Sequence, residues 1–163
     1  MLNEIERDSS AREPQLTPRE YDVLFITARG FTQGEIGKQL GIGVNTVEAH
    51  VTSIHRKFNV GLGSGRTAKA VFKAVELGIL DLDEIVGGFK LDPETHFTPR
   101  ELEVLELMVR VDGKAGNGGV ADALFIQTNT VEFHKTGILR KLGTRSSIQA
   151  GLRYLAAKRD GLI

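Results

Sequence analysis

The chain has 163 residues, with 21 basic and 21 acidic side chains balancing to a net charge of zero, and 40% of its residues are hydrophobic. It has no cysteine, which excludes disulfides and cysteine-based zinc sites and fits a reducing, cytoplasmic setting. No apolar run approaches the roughly 18 residues of a membrane span. The acidic start (Glu4, Glu6, Asp8) lacks the basic and apolar regions of a secretory signal.

Charge is unevenly placed. Residues 1–15 form an acidic tail, and residues 81–96 hold one basic and five acidic side chains. Residues 16–80 hold eight basic and five acidic, and residues 97–163 ten and seven. Two mildly basic segments alternate with two acidic ones, so the zero total conceals surfaces compatible with phosphate.

The first unit, 16–80, opens with Leu16-Thr17-Pro18-Arg19-Glu20. Thr17 with Glu20 is a capping box, and Pro18 suits the first helical position. Tyr21, Leu24, Phe25 and Ala28 make one apolar stripe. A break at Gly30 precedes a second capping box, Thr32 with Glu35, and a short helix carrying Ile36 and Leu40 that stops at Gly41. The spacing of Val47, Val51, Ile54 and Phe58 predicts a third helix from about Val44 to Phe58. A loop with Gly61, Gly63 and Gly65 leads to a fourth helix from about Arg66 to Leu77.

Residues 81–96 link the units. Leu82, Ile85, Val86 and Phe89 are apolar, so a short helix docked on one unit is expected. The second unit, 97–163, then restates the first. Phe97-Thr98-Pro99-Arg100-Glu101 repeats the opening at an offset of 81. Asn129-Thr130-Val131-Glu132-Phe133-His134 repeats Asn45-Thr46-Val47-Glu48-Ala49-His50 at an offset of 84. Its first helix carries Leu102, Leu105, Met108 and Val109. A glycine-rich break, 112–119, lacks the Gly-Lys-Ser/Thr of a phosphate loop and is expected to be a plain loop. A short helix, Val120 to Leu124, a third from about Thr128 to Leu142 and a fourth from about Ser147 to Arg159 follow, with Lys135 in the place of Val51. Without period-2 alternation, strands are not expected. The fold class is therefore all-α, two tandem four-helix units.

A short helix, a tight turn and a longer helix with a polar ridge form the helix-turn-helix pattern. Leu-Thr-Pro-Arg-Glu, then Glu35-Ile36-Gly37 to Leu40 and Ile42, then Thr46-Val47 to His50, then Ile54 and Arg56-Lys57-Phe58 resemble the LuxR/GerE type of DNA-binding domain. Gly78-Ile79-Leu80 and Gly161-Leu162-Ile163 resemble that family's closing Gly-Leu-Ile. The chain departs from the pattern at Gly43 and Gln127, where the family has a small polar residue, and at Gly37, where it has alanine. With fifteen residues before the first unit, no sensor domain is expected.

The resemblance implies double-stranded DNA as the partner and transcription regulation in a bacterium as the function. It implies base-reading positions at Glu48, Ala49 and Thr52, and at Glu132, Phe133 and Thr136. Glu can accept from cytosine N4, and Ala, Phe or a Thr methyl can touch the thymine methyl. Thr46, Arg56, Lys57, Thr130, Arg140 and Lys141 suit phosphates. The family pairs through its fourth helices, which points to a covalent pseudo-dimer, with a homodimer as the other arrangement. A second function stays open, in which one or both units bind RNA polymerase or another regulator. No cofactor or metal is expected. Neither a metalloprotease-type His pair nor a nucleophile elbow is present, so an enzyme is not expected.

Overall fold

The computed structural model describes residues 13–110 and 116–163. Most of the acidic tail and part of the glycine-rich break at 112–119 lie outside these. The described residues form nine helices and no strand.

In the first unit, α1 (Pro18–Ala28) begins on the expected capping box. The Glu20 backbone N–H donates to Thr17 Oγ1 at 3.2 Å, and the Thr17 N–H donates to the Glu20 carboxylate at 2.7 Å. α2 (Gln33–Leu40) starts on the equivalent Thr32–Glu35 box and stops at Gly41, whose φ of 66° suits a residue without a β-carbon. α3 (Val44–Lys57) buries Val47, Val51 and Ile54 as its period requires. α4 (Arg66–Glu76) completes the core with Ala70, Val71, Phe72 and Ala74. Gly37 has a local reason for departing from alanine. A β-carbon there would lie 2.7 Å from the Ile42 carbonyl oxygen, inside the turn that joins α2 to α3.

In the second unit, α6 (Pro99–Val109) repeats the capping box through Thr98 and Glu101. α7 (Asn117–Leu124) begins three residues before the expected Val120, without a side-chain cap. Lys135 accounts for part of this extension, because its Nζ donates to Asn117 Oδ1 at 2.8 Å. α8 (Thr128–Lys141) buries Val131 and Ile138, and α9 (Ser147–Arg159) starts on Ser146, whose Oγ accepts from the Gln149 N–H. Where the first unit ends α2 with Gly41, the second ends α7 with Phe125, at φ 54° and 96% exposed.

The expectation that the linker docks on one unit is corrected. Its helix α5 (Leu82–Val86) places Ile85 and Val86 in the first unit's core and also packs along α9. Asp83 of α5 accepts from Arg159 of α9 at 2.8 Å. Farther on, Phe89 lies under the Arg153 guanidinium at 4.8 Å, while Arg153 Nη1 donates to the Leu142 carbonyl at the end of α8 at 2.6 Å.

The two cores join through α9. Leu152 and Ala156 belong to the first unit's core, while Ala150, Tyr154 and Ala157 belong to the second's. Close approaches mark the junction. A β-carbon on Gly151 would sit 2.6 Å from Phe72 Cζ of α4 and 3.0 Å from Val109 Cγ1 of α6. One on Gly30, after α1, would sit 3.1 Å from Ser146 at the head of α9. One on Gly116, before α7, would sit 2.7 Å from Ser64 Oγ near the head of α4. The last two contacts are reciprocal, since each joins the break between one unit's first and second helices to the start of the other unit's fourth helix.

Candidate nucleic-acid interface

In both units the long third helix is held by its apolar side, which leaves the opposite ridge in solvent. On α3, Thr46, Glu48, Ala49, Thr52 and Arg56 are exposed. On α8, Glu132, Phe133, Thr136 and Arg140 are exposed and Thr130 is half-buried. Apart from Lys57 and Lys141, the residues expected from sequence thus fall on one ridge per unit.

The helix starts help the ridges. Neither Gly43 before α3 nor Gln127 before α8 makes a side-chain cap. The first-turn N–H groups of both helices therefore have no side-chain acceptor, and the dipole favours an anion at such an end.

Lys57 and Lys141 require a correction. The sequence suggests phosphate contacts, but their ammonium groups are directed into the protein. Lys57 Nζ lies 2.6 Å from Glu20 Oε2 and 2.8 Å from the Gln15 carbonyl. Lys141 Nζ lies 2.5 Å from Glu101 Oε2. The two capping glutamates are 4% and 6% exposed, so each must be paired or protonated. Burial pushes the Glu20 carboxyl upward, but Lys57, the Ser53 hydroxyl and the Thr17 groups outweigh it and hold the pKa at about 2. Glu101 is likewise raised by burial and brought below the usual carboxylate range by Lys141 and Thr98. Each pair bolts the start of its unit's first helix to the end of the third. Arg56 and Arg140 have no carboxylate partner among the described residues, and both stay in solvent.

The two ridges differ in detail. Phe133 is 76% exposed and meets the His134 ring edge-on, with centroids 5.7 Å apart. Thr136 bonds back to the Glu132 carbonyl at 2.9 Å, which ties up its hydroxyl and leaves its methyl. Glu132 lies 3.8 Å from Lys135. In α8, Gly137 takes the place that Ser53 has in α3, so the hydroxyl bond from Ser53 to Glu20, 2.7 Å long, has no equivalent at Glu101. A recess of about 300 Å³ beside Phe133, Thr136 and Arg140 accompanies that missing side chain. Phe125, outside the set expected from sequence, carries its signal in alignment, because it occupies the turn position where the first unit has Gly41.

Among the described residues no helix is long and apolar enough to cross a membrane, and no cluster of metal-ligating side chains occurs.

A family described as bacterial regulatory proteins, luxR family (GerE), matches residues 14–63 and 95–153. Over 57 residues the chain is 44% identical to the transcriptional regulatory protein LiaR of Bacillus subtilis, covering 35% of this chain and 26% of that one. Over 79 residues it is 39% identical to the HTH-type quorum sensing-dependent transcriptional regulator VjbR of Brucella ovis, covering 48% of this chain and 29% of that one. Over 55 residues it is 44% identical to the oxygen regulatory protein NreC of Staphylococcus aureus, covering 34% and 24%. The matched part thus spans about a quarter of the length of these relatives. No solved structure matches the chain.

Proposed function

The chain belongs to the luxR family of bacterial regulatory proteins, and from that we propose that it regulates transcription by binding two half-sites of one DNA duplex as an intramolecular pseudo-dimer. Residues 16–80 and 97–163 act as the two readers. α3 and α8 enter successive major grooves. Glu48, Ala49 and Thr52 meet base edges in one half-site, and Glu132, Phe133 and Thr136 in the other. Thr46, Arg56, Thr130 and Arg140 meet phosphates, together with the uncapped starts of the two helices. Lys57 and Lys141 support the ridges from behind through the capping glutamates.

The observation that carries the pseudo-dimer is the reciprocal contact of Gly30 with Ser146 and of Gly116 with Ser64 around the α4 and α9 junction. An interface in which the same patch meets its own equivalent is the signature of a two-fold pair. Tethering then makes the second half-site an intramolecular target.

Binding to DNA selected from random duplexes tests this directly. Affinity should fall with salt, with a log–log slope of about −0.9 for each phosphate contacted. Thr52→Ala should change base preference in one half-site and Thr136→Ala in the other. If either variant alters both halves or neither, the two-reader assignment fails.

The exposed Phe125 and Phe133 on the second unit favour a second reading, in which that unit docks on a protein such as RNA polymerase or another regulator. A half-site preference confined to the first unit, with a salt slope halved to match, would support it.

A further inference from the structure

A cavity of about 280 Å³ lies between the units, lined by apolar side chains, a few neutral polar groups and one cation. Ala68, Phe72, Met108 and Ile148 form apolar walls drawn from both units. Among its lining residues Lys135 alone carries a formal charge. Lys135 is 16% exposed and stands where the first unit has the core residue Val51. Among the described residues its Nζ has one neutral partner, Asn117 Oδ1 at 2.8 Å, and one distant carboxylate, Glu132 Oε1 at 3.8 Å on a half-exposed side chain. The field of the backbone has the same sign. Gly65 and Gly116 line the cavity as the N-caps of α4 and α7 without side-chain caps, and Ser147 is the first residue of α9. Thr67, whose hydroxyl is 3.0 Å from His55 Nε2, adds another polar group. A largely apolar recess at a domain junction, with a few convergent polar groups, is the usual form of a small-molecule site.

We propose that this cavity binds a small apolar carboxylic acid, with its carboxylate at Lys135 and its body against Ala68, Phe72, Met108 and Ile148. The ligand carboxylate competes with Glu132 for the Lys135 ammonium. Occupancy therefore releases a charged side chain on the α8 reading ridge and alters DNA affinity. That last effect rests on the DNA reading above, whereas ligand binding itself does not.

Calorimetric titration of the whole chain with 4-phenylbutyrate tests the site, with 4-phenylbutyramide as the uncharged control. The acid is expected to bind at least tenfold more tightly than the amide, and Lys135→Val, which installs the first unit's residue, to weaken acid binding at least tenfold. Ala68→Leu, which fills the cavity and keeps the charge, is expected to abolish binding, and it decides the matter if Lys135→Val does not fold. Absence of binding to the parent chain at millimolar acid, equal binding of the amide, or unchanged binding by the folded variants would overturn the proposal. On the selected two-half-site duplex, the acid is expected to shift DNA affinity at least threefold, and not at all in Lys135→Val. An unchanged DNA affinity in the acid-loaded parent chain would overturn the coupling to Glu132. A chain that binds the acid but no duplex would defeat the DNA function while leaving the site intact.

Discussion

At the scale of single residues, the repeated feature with the largest energetic stake is the buried capping glutamate. Glu20 falls from 4.5 to about 2 on folding, so its stabilisation is present above pH 4.5 and is lost as pH drops from there toward 2. Each pKa unit is about 1.4 kcal/mol, so Glu20→Gln should cost about 3 kcal/mol near neutrality. The variant should also flatten the acid limb of the stability curve. Urea unfolding between pH 2 and 7 checks this, and an acid limb unchanged in the variant would show that other carboxylates govern it. Phe125 carries strain of a different kind. A left-handed conformation costs a side chain about 1–2 kcal/mol, and an exposed ring regains little by burial. Phe125→Asn should therefore raise stability by about 1 kcal/mol, because Asn tolerates that backbone. The denaturation midpoint reads the outcome. Neither the inward turn of Lys57 nor the strain at Phe125 is written in local sequence as such. The first depends on where the α1 start lies, 37 residues from Lys57, and the second only on alignment with Gly41.

At the scale of elements, the capping boxes at Thr17, Thr32 and Thr98 set the starts of three helices in the places expected, because both partners of each box lie within four residues. α7 starts before the expected Val120 because no local cap marks its beginning, and its extension uses Lys135 from another helix. The turn between α2 and α3 yields a paired prediction. Gly37→Ala would press a methyl against the Ile42 carbonyl, a backbone atom that cannot swing aside. It should destabilise by roughly 1–3 kcal/mol, as overpacking does. Ala121→Gly, the reverse exchange in the second unit, should cost only about 1 kcal/mol through helix propensity. Thermal unfolding of both variants compares them, and a Gly37→Ala chain as stable as its parent would mean that the two turns share one geometry. The ridge residues of α3 and α8 were legible because the apolar period that marks the core also marks its opposite side.

At the scale of the whole molecule, α9 was the least legible element. Ala150, Gly151, Leu152, Tyr154, Ala156 and Ala157 are all buried, and they surround the helix instead of forming a stripe. A helix buried on several sides gives no periodic sign of which neighbour takes which side. Gly151 marks the place where that matters most. Gly151→Leu should wedge α9 from Phe72 and separate the readers. Affinity for a two-half-site duplex should then fall by roughly a hundredfold, the lower range of an avidity gain, while affinity for one half-site holds. Electrophoretic mobility shifts on both duplexes distinguish this from general unfolding, which would lower the two together. The sharing of α9 also bears on how the protein is made. The first unit's core lacks Leu152 and Ala156 until residues 147–159 have left the ribosome. A nonsense mutation or proteolytic nick that removes this one helix should therefore open both cores at once, leaving neither unit intact on its own.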